Sequence, residues 1–125
     1  MRSISSRRAR TALLATAFAA TALATGIATA ASSLKIDAVA GKLAFTKKKA
    51  TTKAGSVTLT MKNPKTNSVP HAIAVKGHGI NKKGNVVKGG GTSRLKVTLK
   101  KGTYQFYCPV GEHAKGGMKG TLVVR

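Results

Sequence analysis

Residues 104–120 read YQFYCPVGEHAKGGMKG, and this segment constrains the fold more than any other. An alternating, strand-like start runs into a glycine-rich loop that contains Cys108, His113 and Met118 in that order. A thiolate, an imidazole and a thioether are ligands that copper binds, and a second histidine would complete a trigonal His₂Cys site with a weak axial methionine. His71 lies upstream and is the candidate for that position. If the four side chains converge, the chain is a small one-electron carrier and not an enzyme.

The alternation of side chains along the strands tests this metal site. In the segment that leads to the loop, Cys108 shares a face with Phe106 and Tyr104, which form the apolar, inward-pointing set. His71 likewise shares a face with Ile73 in the segment HAIAV. Both ligands are therefore predicted to face the interior at strand ends. The glycines of the loop let the backbone turn tightly and present the other two ligands.

The rest of the chain has the period-two hydrophobicity of β-strands and no long segment of helical period. Alternation typical of half-buried antiparallel strands occurs in three segments, residues 34–38, 57–61 and 95–99. Four further segments are predicted to be strands, residues 43–45, 71–75, 103–108 and 120–124. Turns rich in Gly, Pro and Asn separate them. Seven or eight short strands in one small domain predict an all-β fold, a Greek-key β-sandwich.

The N-terminal segment differs from the rest and has the features of an export signal. A pair of arginines precedes an apolar run rich in Ala and Leu, and the tripeptide ATA at residues 28–30 fits a signal-peptidase site. Residues 1–30 are therefore predicted to be a signal peptide and residues 31–125 the mature domain, exported to the periplasm, the extracellular space or the cell surface. The arginine pair leaves both the general secretory and the twin-arginine route open. An uncleaved membrane anchor over residues 12–31 is the alternative.

The chain is strongly basic, with 23 Lys and Arg against 2 Asp and Glu in 125 residues and a net charge of +21. Cleavage after residue 30 would leave 19 of the 23 cations and both acids, Asp37 and Glu112, and hence a net charge of +17. Such a field favours an acidic redox partner, or an anionic membrane or cell-wall surface. Nucleic acid is disfavoured as a partner by the export signal and by the scarcity of aromatic side chains for stacking. The domain is expected to be a monomer.

Three other classes of protein remain open. A hydrolase built on Cys108 and His113 would need an orienting carboxylate or carboxamide, and the sequence offers no clear third member. A copper-buffering or copper-delivery protein would use the same ligands but exchange its ion readily with a partner. A cationic surface-binding module would attach to an anionic polymer or lipid through its lysines and would not need Cys108. His78, which two glycines flank, is interpreted as a loop residue outside the site.

Several segments together resemble those of the cupredoxins, the type 1 blue copper proteins, and among them the plastocyanin, pseudoazurin and amicyanin kind. These segments are GTYQFYC before the loop, the loop of residues 108–118, the strand KGTLVV after it, and the upstream NP and PHAIAV. The resemblance covers residues 34–125. It implies an eight-stranded Greek-key sandwich that binds one copper ion near one end, and electron transfer by cycling of that ion between Cu(I) and Cu(II).

The resemblance also implies roles for individual residues. His71, Cys108 and His113 would be the equatorial copper ligands, and Met118 would be the long axial ligand. The edge of His113 would be the point where the electron leaves for a partner, within an apolar patch. The candidates for that patch are Pro70, Pro109 and Val110.

Two positions depart from the pattern of this family. Many relatives have Asn after the first histidine, bonded to a Ser or Thr that follows the cysteine, whereas this chain has Ala72 and Pro109 at those positions. Both halves of that contact are missing together. The ligand loop is therefore expected to be held in another way.

Overall fold

The computed structural model describes residues 31–125, and the predicted signal peptide at residues 1–30 lies outside them. The described residues form eight β-strands joined by turns and loops. The strands are β1 (Ser32–Lys35), β2 (Lys49–Thr52), β3 (Gly55–Lys62), β4 (Ala74–Gly77), β5 (Ile80–Lys83), β6 (Thr92–Leu99), β7 (Gly102–Tyr107) and β8 (Lys119–Val124). No helix long and apolar enough to cross a membrane occurs between residues 31 and 125.

The strands form two sheets that pack against each other. One sheet has three strands in the order β1-β3-β6, and the other has five in the order β2-β8-β7-β4-β5. The prediction of an all-β, Greek-key sandwich is thus confirmed. Strands β7 and β8, which flank the ligand loop, pair with each other, and each also pairs with another strand of the larger sheet. Both ends of the loop are therefore fixed by interior strands.

The prediction of antiparallel pairing is wrong for the first strand. β1 runs parallel to β3, with Leu34 opposite Leu59, and β2 likewise runs parallel to β8. After β1 the chain crosses to the larger sheet to form β2 and then returns as β3, so no hairpin joins β1 to β3. Alternation of apolar and polar residues is the same in parallel and antiparallel pairs with one solvated face. The sequence pattern therefore could not distinguish them.

Two strands were not predicted, and both lie at the edges of the five-stranded sheet. Both are only four residues long and neither shows a clear alternation of apolar and polar residues, since β2 reads KATT with one buried residue and β5 reads INKK with none. Lysines at such edges are typical because they discourage pairing with another chain. The predicted strand at residues 43–45 is reduced to a single bridge between Ala38 and Phe45.

The core lies between the two sheets. It is formed by the residues of each strand whose side chains point inward. In β3 and β6 every second residue is buried, as the alternation predicts: Val57, Leu59, Met61, Leu95, Val97 and Leu99. From the larger sheet, Phe106 meets the edge of the Phe45 ring with centroids 5.5 Å apart. Because Cys108 follows Phe106 on the same face and is also fully buried, the core continues up to the ligand loop.

Gly120 has no room for a side chain at the position where the two strands leave the loop. It pairs with Phe106 across β7 and β8. A Cβ atom at this position would overlap the Phe106 ring and would lie 2.6 Å from the carbonyl oxygen of Lys48. Because Gly120 has no side chain, the Phe106 ring can lie directly against the backbone of β8.

We expect Gly120→Ala to lower the free energy of unfolding by about 1–3 kcal/mol, because overpacking forces side chains and backbone to shift. Denaturant unfolding of the metal-free domain measures this cost. In a Phe106→Leu background the same substitution should cost less, since part of the clash is with the ring. Equal costs in the two backgrounds would contradict this explanation.

Candidate metal centre

Three backbone hydrogen bonds shape the ligand loop. Cys108 lies directly after β7, and its amide donates to the carbonyl of Met118 at 3.0 Å, immediately before β8 begins. Within the loop, the His113 amide donates to the carbonyl of Val110, and the Met118 amide donates to the carbonyl of His113, both at 3.1 Å. The loop therefore turns back on itself and returns His113 to the point where the strands end.

The other histidine comes from a different part of the fold. His71 precedes β4 and pairs with Val87 through two backbone hydrogen bonds, of 3.0 and 2.9 Å. It forms this single bridge and lies outside the regular strand, which begins at Ala74, so the predicted strand start at residue 71 is three residues early. Its side chain is fully buried, together with those of Ile73 and Val75, as the predicted face requires.

Three potential ligand atoms face one another at this end of the sandwich. The Nδ1 atoms of His71 and His113 are 3.2 Å apart, and the Sγ atom of Cys108 lies 3.9 and 3.5 Å from them. A circle through three points with these separations has a radius of about 2.1 Å, close to the roughly 2.0–2.3 Å bond lengths of a divalent first-row metal to imidazole nitrogen and thiolate sulfur. The triad thus has the size of a trigonal N₂S metal site.

The chemistry of the three groups also fits a metal. Two unprotonated imidazole nitrogens and a thiolate each offer a lone pair, and lone pairs brought this close repel one another unless a cation or protons lie between them. Cys108 and His71 are fully buried, whereas His113 is half-buried. The triad is therefore enclosed on the protein side and reaches solvent through His113.

Met118 lies at the same place in the fold. Its side chain is fully buried, and its backbone is bonded to both Cys108 and His113. It also packs in the core cluster that contains Cys108. A buried thioether next to the triad is a soft, weak donor suited to an axial position. The four residues singled out in the sequence therefore share one end of the molecule.

Burial changes the protonation of the first histidine. Desolvation lowers the pKa of His71 below its ordinary value of 6.5, and repulsion by His113 lowers this pKa further. The neutral form of His71 is therefore favoured. A metal ligand must be unprotonated, so this environment prepares His71 for a cation.

Two asparagines that precede the first histidine in the chain hold its backbone in place. Asn63 is fully buried, and its side-chain amide donates to the carbonyls of Val69 and Val87, both at 3.1 Å. Asn67 donates to the side-chain oxygen of Asn63 at 2.9 Å. Since Val87 pairs with His71 and Val69 precedes it by two residues, this amide pair fixes both sides of the histidine's backbone.

Asn67 also makes hydrogen bonds to a second loop. The Asn67 side chain accepts from the Gly41 amide at 2.7 Å and donates to the Val39 carbonyl at 3.3 Å. The loop of residues 39–41 is thereby fixed to the segment before His71. The signal for this network was present in the sequence as two asparagines four residues apart, at each end of NPKTN, but their burial could not be predicted from a local pattern.

The apolar surface around the site differs in part from the expectation. Pro70 is exposed, while Pro109 and Val110 are only half-buried. Leu43 and Val69, which were not predicted to belong to it, are 37% and 42% exposed. Leu43 also lies against the ligand loop, since a Cβ at Gly116 would be 2.8 Å from its Cδ1 atom. The apolar rim therefore includes residues from the first loops of the domain.

His78 is separate from this centre, as interpreted from the sequence. It lies in the turn between β4 and β5 with a positive φ of 48°. Its ring packs on Tyr104 with centroids 4.8 Å apart, near Gly102 at the start of β7. Because Cys108 follows the opposite end of β7, His78 lies far along the strand from the triad.

Comparisons with known proteins agree with the geometry. Residues 32–125 match the family described as copper binding proteins of the plastocyanin/azurin family. The structure of auracyanin from the photosynthetic bacterium Roseiflexus castenholzii is similar at 26% identity and a TM-score of 0.62, over 77% of this chain and 98% of that chain. Auracyanin A from Chloroflexus aurantiacus, described as a "blue" copper protein, is 25% identical with a TM-score of 0.64, over 77% of this chain and 100% of that chain.

A more distant structural similarity extends to amicyanin. An amicyanin variant has 21% identity and a TM-score of 0.54, over 74% of this chain and 82% of that chain, which indicates the shared fold alone. No curated protein sequence matches this chain.

We expect Asn63→Ala to lower the free energy of unfolding by roughly 1–3 kcal/mol, because the Val69 carbonyl and the Asn67 amide each lose a partner and the Val87 carbonyl keeps only the His71 amide. Asn85→Ala is the matched control. Asn85 is exposed, although its side-chain oxygen accepts from the Arg94 amide at 2.8 Å, so its loss should cost under about 1 kcal/mol. Denaturant unfolding measures the loss of stability in each variant. Equal losses would show that the buried Asn63 network stabilises the fold no more than one exposed hydrogen bond does.

The stability of the metal-free domain should depend on pH through His71. Its pKa is lowered in the folded state, so below about pH 6.5 the unfolded chain binds the proton first and the free energy of unfolding falls, by up to about 1.4 kcal/mol per pH unit. Above pH 6.5 neither state binds it and this contribution is constant. Denaturant unfolding between pH 5 and 7.5 measures the slope. His71→Gln should reduce the slope, and an unchanged slope would contradict the assignment to His71.

Proposed function

This chain belongs to the plastocyanin/azurin family of copper-binding proteins, and from that premise we propose that it is an exported one-electron carrier. The observation that supports this proposal most directly is the convergence of two imidazole nitrogens and one sulfur at separations of 3.2 to 3.9 Å. Copper held by these residues would supply the one-electron chemistry, since it is stable as both Cu(II) and Cu(I).

We assign the ligands as follows. The Nδ1 atoms of His71 and His113 and the sulfur of Cys108 would hold the copper ion, and the thioether of Met118 would be a weaker fourth ligand. The size of the triad and the burial of Met118 next to it support this assignment. Cys108 acts as a thiolate, which is the form in which a cysteine binds a metal.

The fold holds these ligands in fixed positions. The hydrogen bond from Cys108 to Met118 holds the two sulfur ligands at the root of the loop, and the Asn63 side chain holds the backbone around His71. Ligands that move little between two oxidation states allow fast electron exchange, because little rearrangement must accompany each transfer. His113, the half-buried ligand, is the proposed point of exchange with a partner.

A carrier is favoured over a Cys–His hydrolase by the positions of the carboxylates. Asp37 accepts from the Lys62 amide at 2.9 Å and pairs with Lys35, while Glu112 is exposed and pairs with Lys115. Both acids of the mature domain therefore pair with lysines, and neither makes a hydrogen bond to the His113 ring, whose contacts are with His71 and Cys108. Acyl transfer would require a group that orients His113 as a base.

The proposals on export and on the redox partner rest on the sequence. We propose that residues 1–30 are a signal peptide and that residues 31–125 act outside the cytoplasm, in the periplasm or at the cell surface, as a monomer. The net charge of +17 on the mature domain suits an acidic redox protein as partner. A copper-buffering or delivery protein is the second candidate, because a half-buried ligand gives a competing chelator access to the site.

Adding Cu(II) to the mature domain should produce the intense visible absorption of a copper–thiolate site and a matching paramagnetic spectrum. Cys108→Ser should abolish the absorption. Met118→Leu should keep it and raise the reduction potential, because the axial ligand tunes the site without building it. A colourless wild-type sample would overturn the proposed function. Loss of copper over repeated cycles of reduction and oxidation would favour the buffering alternative.

Electron exchange should respond to salt according to the charge of the reaction partner. We expect oxidation of the reduced protein by hexacyanoferrate(III), an anion, to slow steeply as salt is added, since screening weakens the attraction. A cationic cobalt(III) phenanthroline complex is the matched control, and its reaction should become faster. Stopped-flow kinetics measures both rates. A flat dependence with the anionic oxidant would show that the charge does not steer partners.

A further inference from the structure

The ligand loop, residues 108–118, is joined by its backbone mainly to itself. All five backbone hydrogen bonds that its amides donate end on carbonyls of the same loop. Ala72 and Pro109, which follow His71 and Cys108 in the chain, have no polar side chain that could link the loop to the first histidine. The position of the tip of the loop therefore depends on packing against the rest of the domain.

Leu43 supplies such packing from a different part of the chain. A Cβ atom at Gly116 would lie 2.8 Å from the Cδ1 atom and 3.6 Å from the Cβ atom of Leu43. At the next residue, Gly117, a Cβ atom would lie 3.8 Å from the carbonyl oxygen of Leu43. The Leu43 side chain therefore occupies the space that a side chain at Gly116 would take, directly against the glycine pair that precedes Met118.

The turn that carries Leu43 is itself fixed to the domain. The Val39 amide donates to the carbonyl of Ala44 at 2.9 Å, which closes the turn around Leu43. Within this turn, the Asn67 side chain bonds to the Gly41 amide and to the Val39 carbonyl. Leu43 is 37% exposed, yet it belongs to a turn whose backbone is held at several points. We call residues 39–44 the bracing turn.

The bracing turn connects the surroundings of the two histidines. On one side, Asn67 bonds to Asn63, whose amide holds the backbone next to His71. On the other side, Leu43 packs on the glycine pair that follows His113 in the ligand loop. Contacts therefore run without a gap from the segment that carries the first histidine, through the bracing turn, to the loop that carries the second.

We propose that the bracing turn, acting through Leu43, holds the ligand loop where His113 and Met118 can meet a metal. Leu43 is a positioning residue, because it acts through Gly116. The half-buried His113 leaves a bound ion more slowly when the loop is held, so the turn slows release of the metal. This consequence rests on the proposed function, since retention of the ion separates a carrier from a buffering protein. The packing itself exists in the metal-free domain.

Amide hydrogen exchange in the metal-free mature domain tests the packing directly. In Leu43→Ala, the amides of Gly116, Gly117 and Met118 should exchange about five- to tenfold faster, because their hydrogen bonds within the loop open more often. Leu34→Ala is the matched control, since it removes the same side chain where it packs on the core from β1. The control should lower the free energy of unfolding more than Leu43→Ala does and leave exchange at these three amides unchanged.

Release of zinc measures the consequence for the site. The zinc-loaded domain is mixed with an excess of a chelator that changes colour when it binds zinc, and the rate of release is recorded. We expect Leu43→Ala to release zinc about tenfold faster than the wild type and Leu34→Ala to match the wild type.

A second substitution tests whether Leu43 acts by contact with Gly116. The backbone of Gly116 is not left-handed, so alanine is compatible with it, but the added methyl group would overlap the Leu43 side chain. Gly116→Ala should therefore also speed zinc release. In the Leu43→Ala background the same methyl group would lie 3.6 Å from the Cβ atom at position 43, an ordinary contact. The double variant should thus release zinc more slowly than Leu43→Ala alone.

Three outcomes would overturn the proposal. The first is wild-type amide exchange and wild-type zinc release in Leu43→Ala. The second is simple addition of the effects of Leu43→Ala and Gly116→Ala, which would show that the two residues act independently. The third is zinc release that follows the free energy of unfolding in both Leu34→Ala and Leu43→Ala. Failure of the proposed function is distinguishable, because the domain would then take up no zinc by mass spectrometry while the exchange result in the metal-free domain would stand.

Discussion

The pairing register of β7 and β8 is the constraint on which the metal centre depends. Tyr107 lies opposite Lys119, and one step further the Cys108 amide bonds to the Met118 carbonyl. A slip of one residue would turn Cys108 to the solvent face, because side chains alternate along a strand. It would also move Phe106 off Gly120, the position that has no room for a side chain. The packing of the core and the assembly of the ligands are therefore enforced by the same contacts.

Much of this arrangement could be predicted from local pattern. Period-two alternation identified the central strands and placed Cys108 on the buried face with Phe106, because a half-buried strand records its environment residue by residue. The same rule failed for β2 and β5, because each has only four residues and at most one apolar side chain that could reveal a period. It could not give the parallel direction of β1, which depends on a crossover between sheets. Burial of Asn63 was also out of reach, since its partners Val69 and Val87 are brought together only by tertiary structure.

The two histidines of the centre have different environments. His71 is fully buried, has a lowered pKa and is held by the backbone of Val87 and the amide of Asn63. His113 is half-buried and belongs to the loop, whose contacts are mostly local. One ligand is thus part of the rigid sandwich, and the other faces the surroundings. This asymmetry supports the proposal that His113 is the point of exchange with a partner, while His71 fixes the geometry of the site.

The network of Asn63 and Asn67 contains only amides and carbonyls. None of these groups gains or loses a proton in the pH range in which proteins stay folded, and their hydrogen bonds are buried or part-buried. Acidification would therefore protonate His71 while the amides and carbonyls that hold its backbone stay uncharged. The weakening of the fold in acid would then reflect the cost of charging one buried ring, with the surrounding contacts still made.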